Sequence, residues 1–346
     1  MPGNPAPSHL VRHRRAALVV LFAVATLALG GCESIMVMTG ARMRLDGIPL
    51  QAIAASMPGN GGIAPGGKAT LSVVATATDG RTLATVGTGD GKVLLDSYHF
   101  DASVVKVDAD GVVTLPADPH LSEGRTPHVR ITAIGQAAPV ADLDIPVRYD
   151  VAFAGSYRGS DGFDGTDGFD GMAGSMGSMG SFDPDNPSAG GDGGNGTNGS
   201  DGGDGSAGGP GPDVHVAIAL VAGAHPLLHV RASAAGKDHD FIVDPDGGSL
   251  TITASGGYGG RGGRGGQGGA AGSGGSGGSG SGNSGMSGSD GRNGQDGPGG
   301  PAGTITVTID PAAAPYLDRF HFRNMTGDNR PGPAPVVTTM PVASPW

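Results

Sequence analysis

One cysteine in 346 residues leaves the chain without any intrachain disulfide, so no covalent staple supports its fold. Aromatic residues supply 4% of the sequence and charged residues 15%, too little of either for an ordinary close-packed globule along its whole length. Basic residues are outnumbered, 21 Lys and Arg against 32 Asp and Glu, for a net charge of −11. No basic stripe is present to neutralise phosphates, which argues against nucleic acid as a partner. Catalytic signatures are missing as well: there is no glycine–serine elbow, no phosphate loop ending in Lys-Ser/Thr and no zinc-binding helix motif. His225 and His229 are four apart, but Pro226 and a β pattern keep them off one helical face, so no metal site is expected there. Asp238-His239-Asp240 has no nucleophile beside it. The sequence therefore predicts neither an enzyme nor a metal or other bound cofactor.

What the chain has in excess is glycine, 69 residues. Glycine recurs at every third position in four runs, 159–180, 190–211, 257–278 and 282–303, each with eight glycines in that register. A period of three held that long requires three residues per turn and one row with no room for a Cβ, which collagen and the single-chain polyglycine II helix both supply. Proline within the runs is limited to Pro210, Pro298 and Pro301, a poor composition for a triple helix. The third run carries double glycines from Gly259-Gly260 to Gly268-Gly269 and projects only Tyr258, Arg261, Arg264, Gln267 and Ala270. Two bare faces are what an interior member of a bundle needs. The first run projects Phe163, Phe169, Met172, Met176 and Met179, with Asp161, Asp164, Asp167 and Asp170 in one row, and reads as peripheral. At about 3.1 Å per residue each run reaches roughly 65 to 70 Å. A flexible Gly/Ser linker, favoured by Ser273, Ser276, Ser279 and Ser281, and a collagen-like oligomeric surface protein remain the alternatives.

Around these runs the pattern is β. Short β-branched and alternating segments between residues 48 and 153, punctuated by Asp79-Gly80 and Asp110-Gly111, predict an antiparallel sandwich. Further strands are predicted at 213–222, 227–232, 240–243, 249–255 and 304–310, with a short segment at 319–323. Each pair of runs leaves a β segment, reverses at a tip and returns to another. The fold class read from the sequence is mainly β, with no substantial α-helix after the amino-terminal segment: a sandwich, then a β base (154–325) carrying a four-run polyglycine II bundle. The tail 326–346, with Pro331, Pro333, Pro335, Pro341 and Pro345, is expected to be disordered.

At the amino terminus Arg12-His13-Arg14-Arg15 precedes an apolar stretch, 16–29, and then Leu29-Gly30-Gly31-Cys32. The order of basic, apolar and small residues is that of a secretory signal. Residues 1–31 resemble a bacterial lipoprotein signal peptide with its lipobox. That resemblance implies cleavage before Cys32 and covalent lipid on Cys32, then a tether over 32–47. Glu33 follows where an inner-membrane retention signal has aspartate, so the resemblance points to the outer membrane. The segment Val105-Lys106-Val107-Asp108-Ala109-Asp110-Gly111-Val112-Val113, preceded by Gly67-Lys68-Ala69-Thr70-Leu71, resembles the hairpin of bacterial Ig-like repeats and implies an Ig-like module over 48–153. In triplet period and hairpin layout, 159–303 is similar to the glycine-rich bundles of Obg GTPases, snow-flea-type antifreeze proteins and phage tail-tip adhesins.

Two groups of candidate site residues follow. Asp161, Asp164, Asp167 and Asp170 are expected either to form inter-helix ion pairs with Arg261 and Arg264 or to be solvated. Calcium fits them poorly, since residues three apart lie about 9 Å from each other. Asp192, Asp201 and Asp204 offer a second carboxylate set. Met176, Met179, Phe182 and Met286 are expected to gather near the tip, either packed between helices or exposed as an apolar contact patch. The expected function is structural or adhesive: an anchored lipoprotein presenting a stiff bundle to a protein or glycan partner. A flat ligand- or ice-binding face is the alternative, favoured by ordered rows of Thr or Ala, which are sparse.

Overall fold

The computed structural model describes residues 37, 39–58, 61–85, 91–344 and 346. Cys32 and residues 1–31, which the sequence reading takes as a signal, lie outside them. The chain divides into two compact units, one ending at Arg148 and one beginning at Tyr149.

The first unit holds β1 (Leu50–Ser56), β2 (Lys68–Thr70), β3 (Ser72–Ala77), β4 (Thr82–Ala84), β5 (Tyr98–Ser103), β6 (Lys106–Val107), β7 (Val112–Thr114), β8 (His128–Ala133) and β9 (Val140–Asp144). They form three antiparallel sheets in the orders β1-β3-β4, β2-β7-β6 and β5-β8-β9. Period-two alternation decides which side faces in. Val73, Ala75 and Ala77 of β3 and Val129, Ile131 and Ala133 of β8 are buried, and the residues between them are not. These side chains meet in one core with Leu71, Leu115 and Ile145. At the β6–β7 turn Gly111 takes a φ of +72°, a conformation costly for any residue with a Cβ. Oδ1 of Asp108 accepts from the N–H groups of Asp110 and Val112 at 3.0 and 2.8 Å.

The second unit is built on β10 (Ala152–Arg158), β11 (Val214–Val221), β12 (Leu227–Ala234), β13 (Lys237–Val243), β14 (Ser249–Ser255), β15 (Ile305–Ile309), β16 (Phe320–Met325) and β17 (Val336–Thr339). One sheet is β10-β14-β16, parallel throughout; the other is β13-β12-β11-β15-β17. Within the second sheet β11, β15 and β17 are parallel, and β12 and β13 are antiparallel additions. Val214, Val216 and Ile218 of β11 and Leu250, Ile252 and Ala254 of β14 are buried in one shared core. The proline-rich tail is thus not disordered as the composition suggests. Its Val336–Thr339 pairs with Thr306–Ile309. The β-branched run Val336-Val337-Thr338-Thr339 lies between Pro335 and Pro341, so the prolines flank an edge strand without interrupting its ladder.

The strands continue directly into the glycine runs. β10 feeds run 1 (159–180), run 2 (190–211) leads into β11, β14 feeds run 3 (257–278) and run 4 (282–303) leads into β15. Successive N–H groups of run 2 point to different neighbours: Gly190 to Gly280, Gly193 to Asn283 and Gly196 to Met286 on one side, Gly191 to Ser178 and Gly194 to Ser175 on another. Each series repeats every third residue, which defines three residues per turn. Run 1 donates to run 3 (Gly162 to Tyr258), run 3 to run 2 (Gly263 to Gly203) and run 4 to run 3 (Gly291 to Gly266). Runs 2 and 3 therefore each bond to three runs, and runs 1 and 4 to two. The cross-section is a rhombus with runs 1 and 4 at the far corners.

The interior reading of the third run follows from this arrangement. Gly257, Gly260, Gly263, Gly266, Gly269, Gly272 and Gly275 are buried. A Cβ on Gly263 would overlap the carbonyl of Thr166 on run 1, and one on Gly262 the carbonyl of Gly294 on run 4. The sheets also set the register of the bundle. Residues of β10 and β14 pair 97 positions apart, as do Asp164 and Arg261 in runs 1 and 3. For β11 with β15, and for runs 2 and 4, the offset is 91.

Candidate interaction surface

Inter-run carbonyls accept only part of the backbone N–H groups in the bundle. A further set meets side chains, in one ladder along each side of the rhombus. Between runs 1 and 3, Asp161, Asp164, Asp167 and Asp170 accept from the N–H groups of Tyr258, Arg261, Arg264 and Gln267 at 2.7 to 2.8 Å. Between runs 2 and 4, Asp192, Asn195, Asn198, Asp201 and Asp204 accept from Asn283, Met286, Ser289, Arg292 and Gln295 at 2.6 to 2.8 Å. Between runs 4 and 3, Asp296, Asn293 and Asp290 accept from Gly262, Gly265 and Gly268. Between runs 2 and 1, hydroxyls of Ser206, Ser200 and Thr197 accept from Phe163, Phe169 and Met172 at 2.7 Å. A short polar side chain every third residue thus satisfies donors that a chain this poor in apolar cover would leave to water.

The first site expectation is corrected in this way. The carboxylates of Asp164 and Asp167 do meet Arg261 and Arg264, but through backbone N–H. Among the described residues no ion pair joins these aspartates to the two guanidinium groups. In parallel helices with one fixed offset, the amide of each run 3 residue faces the aspartate while its side chain leaves the bundle. Asp192, Asp201 and Asp204 have the same acceptor role. At the base of the bundle the Arg158 guanidinium of β10 lies 3.6 Å from the ring centroid of Tyr258, a cation–π contact that ties the sheet to run 3.

The apolar candidates are exposed. Phe163, Phe169, Met172, Met176 and Met179 are between 77% and 83% accessible, Met286 72% and Phe182 58%. They do not form one tip patch. Met176 and Met179 continue the aspartate row on the run 3 side, Phe182 sits in the tip loop, and Met286 lies against run 2, its carbonyl accepting from Gly196. Met286 is therefore on the opposite side of the rhombus from Met176 and Met179. A row that the sequence reading did not single out as a site, Phe163, Phe169 and Met172, lies on the run 2 side of run 1. Its signal was present, because all three differ by multiples of three.

The two histidines are separated. His225 Nε2 lies 2.8 Å from Oδ2 of Asp244, and this partner raises the His225 pKa above its usual value. Asp246 completes a group of three potential metal ligands, although Oδ1 of Asp244 already accepts from the Asp246 N–H at 2.8 Å. His229 is buried and stacks on Trp346 with ring centroids 4.4 Å apart. In the first unit His128 contacts Asp144 at 2.8 Å and Asp142 at 3.2 Å, and the hydrogen bond to Asp144 is the main cause of its raised pKa. Among the described residues no helix is long and apolar enough to cross a membrane. Compared with models of known families, with curated proteins and with solved structures, the chain matches none.

Proposed function

We propose that this protein is a lipoprotein anchored in the outer membrane through lipid on Cys32, with an Ig-like first module, whose glycine bundle serves as a stiff structural or adhesive element. The observation that carries this reading is the pairing of a hydrogen-bonded scaffold with large side chains exposed on it. Each run is fixed to its neighbours at every turn, while Phe163, Phe169, Met172, Met176 and Met179 stay between 77% and 83% accessible. Large apolar side chains left in water along a rigid scaffold are the groups a partner can cover. A scaffold without local freedom presents them at little entropic cost on binding.

The test has two arms. Palmitate labelling in a Gram-negative host, followed by membrane fractionation, should place the wild-type chain in the outer membrane and lose both lipid and membrane association with Cys32→Ala. Beads coated with the protein should attach to at least one class of ligand on protein and glycan arrays, and lose that attachment when Phe163, Phe169 and Met172 are all changed to Ser. An unlabelled wild-type chain sinks the anchor, and attachment to nothing sinks the adhesive role.

A further inference from the structure

The single cysteine, Cys32, is proposed above to carry lipid, which leaves the methionine thioethers as the sulfur open to oxidants. Met172, Met176 and Met179 on run 1 and Met286 on run 4 are 78%, 81%, 77% and 72% accessible, against 50% for Met340 in the tail and 8% for Met57 in the first core. Methionine ordinarily fills irregular gaps in a core. The four on the bundle belong to neither core and stand in water.

The runs are held at these positions while the side chains are not. The Met172 N–H donates to Oγ1 of Thr197 at 2.7 Å, and its carbonyl accepts from the Thr197 N–H at 2.9 Å. The Met286 N–H donates to Oδ1 of Asn195 and its carbonyl accepts from the Gly196 N–H, both at 2.8 Å. Next to Met176 and Met179, the N–H groups of Gly177 and Gly180 donate to the carbonyls of Ser273 and Ser276 on run 3 at 2.8 and 2.9 Å. None of these bonds involves a thioether. In a core, oxidation of methionine makes an apolar side chain polar and disrupts its packing. On the bundle the added oxygen is solvated and the inter-run bonds stay as they are.

Hydrogen peroxide is the co-reactant. A sulfur lone pair attacks one peroxide oxygen, and the S–O bond forms as the O–O bond breaks. The proton of the transferred oxygen passes to the other oxygen, which leaves as water. Sulfur is oxidised and peroxide reduced by two electrons. Met176 and Met179 stand one turn apart, about 9 Å along the run, so neither sulfur shields the next. Approach is open from both sides of each thioether, and both sulfoxide epimers form. Reversal takes a dithiol, which becomes a disulfide as the sulfoxide oxygen leaves as water, with one type of reductase for each epimer.

We propose that Met172, Met176, Met179 and Met286 form a reversible oxidation site, at which the bundle takes up peroxide oxygen ahead of the core methionine Met57 and keeps its fold. Exposure and a held backbone suffice for it, so it stands or falls apart from the adhesive reading above. The experiment treats the full chain in detergent micelles with graded hydrogen peroxide, follows each methionine by peptide mass spectrometry and includes N-acetylmethionine amide in the same tube. Each of the four should oxidise at a rate close to that of the free amide and at least tenfold faster than Met57. Protein oxidised at these four and not at Met57 should unfold within about 2 °C of the untreated chain. It should also keep its amide protection at Gly177 and Gly196. Either stereospecific methionine sulfoxide reductase alone should remove about half of the added oxygen, and the two together nearly all of it. Rates at the four no faster than at Met57 overturn the proposal. So does a fall of more than about 4 °C with oxidation confined to the four, or sulfoxides that the two reductases together leave in place.

Discussion

Oδ1 of Asp164 accepts a hydrogen bond of 2.7 Å from the backbone N–H of Arg261, a residue 97 positions away, and the guanidinium of the same arginine takes no part. The contact needs an acceptor and no charge. Native Asn195 and Asn198 do the same work on the opposite side of the bundle. Asp164→Ala should therefore cost about 1 kcal/mol, the net worth of one hydrogen bond with its donor left exposed. Asp164→Asn should cost less than half of that, and Arg261→Gln should fall within about 0.5 kcal/mol of wild type. Thermal or denaturant unfolding checks the order; a large loss with Arg261→Gln would restore the ion pair.

Gly263 faces the Thr166 carbonyl with no space for a Cβ. Gly263→Ala should destabilise by about 1–3 kcal/mol through overpacking, or more if runs 1 and 3 must part. Ser273→Ala, on the exposed row of the same run, should change stability by less than about 0.5 kcal/mol. Amide hydrogen exchange adds a local reading: the first variant should lose protection at Gly162 and Gly165, which donate to Tyr258 and Arg261.

The fixed offsets of 97 and 91 make length a collective property. Deleting one triplet from all four runs at the same level should leave a folded protein whose bundle is shorter by about 9 Å. Deleting a single residue from run 3 alone turns its glycine row toward the wrong neighbour and should abolish protection beyond the deletion. Small-angle scattering and hydrogen exchange distinguish the two.

In the first unit the Tyr98 hydroxyl is buried without a hydrogen-bond partner among the described residues, and burial pushes its pKa up to about 12. Tyr98→Phe removes the unsatisfied group and keeps the ring, so it should raise stability by about 1 kcal/mol. A loss of that size would mean that the hydroxyl has a partner in solution.

Asp144 and Asp142 hold the pKa of His128 above 6.5. A raised folded-state value favours the protonated form, so the stabilisation is fully present below the unfolded value and fades as pH rises through the folded one. An NMR titration of His128 should give a midpoint above 6.5 that falls in Asp144→Asn more than in Asp142→Asn.

How far the sequence revealed this arrangement depends on what each residue type encodes. The triplet period named the runs to the residue, and the double glycines placed run 3 inside, because a missing Cβ is a direct record of crowding. Strands β8 and β14 were legible from their β-branched alternation. β10, Ala152–Arg158, was not, since Gly155 interrupts it and no β-branched residue marks it. β17 was masked by the prolines on either side. The aspartate row was recognised while its partner was misassigned: a charge pattern shows which residues face each other, but not that an amide arrives before a guanidinium. The division of the apolar side chains between two sides of the bundle depended on register, and register is set by β10–β14 and β11–β15 pairs nearly a hundred residues apart.

The rhombus holds together with almost no apolar side chain inside it, and heat capacity is where that shows. Unfolding raises heat capacity mainly by wetting apolar surface, whereas wetting polar backbone lowers it. The two sheets of the second unit, with their Val, Ile and Leu core, should follow the usual increment of about 12–15 cal/mol/K per residue, and the four runs should fall well below it. A stability curve that owes so much of its length to amide bonding is flatter than that of a globular domain of equal mass, and it loses less on cooling.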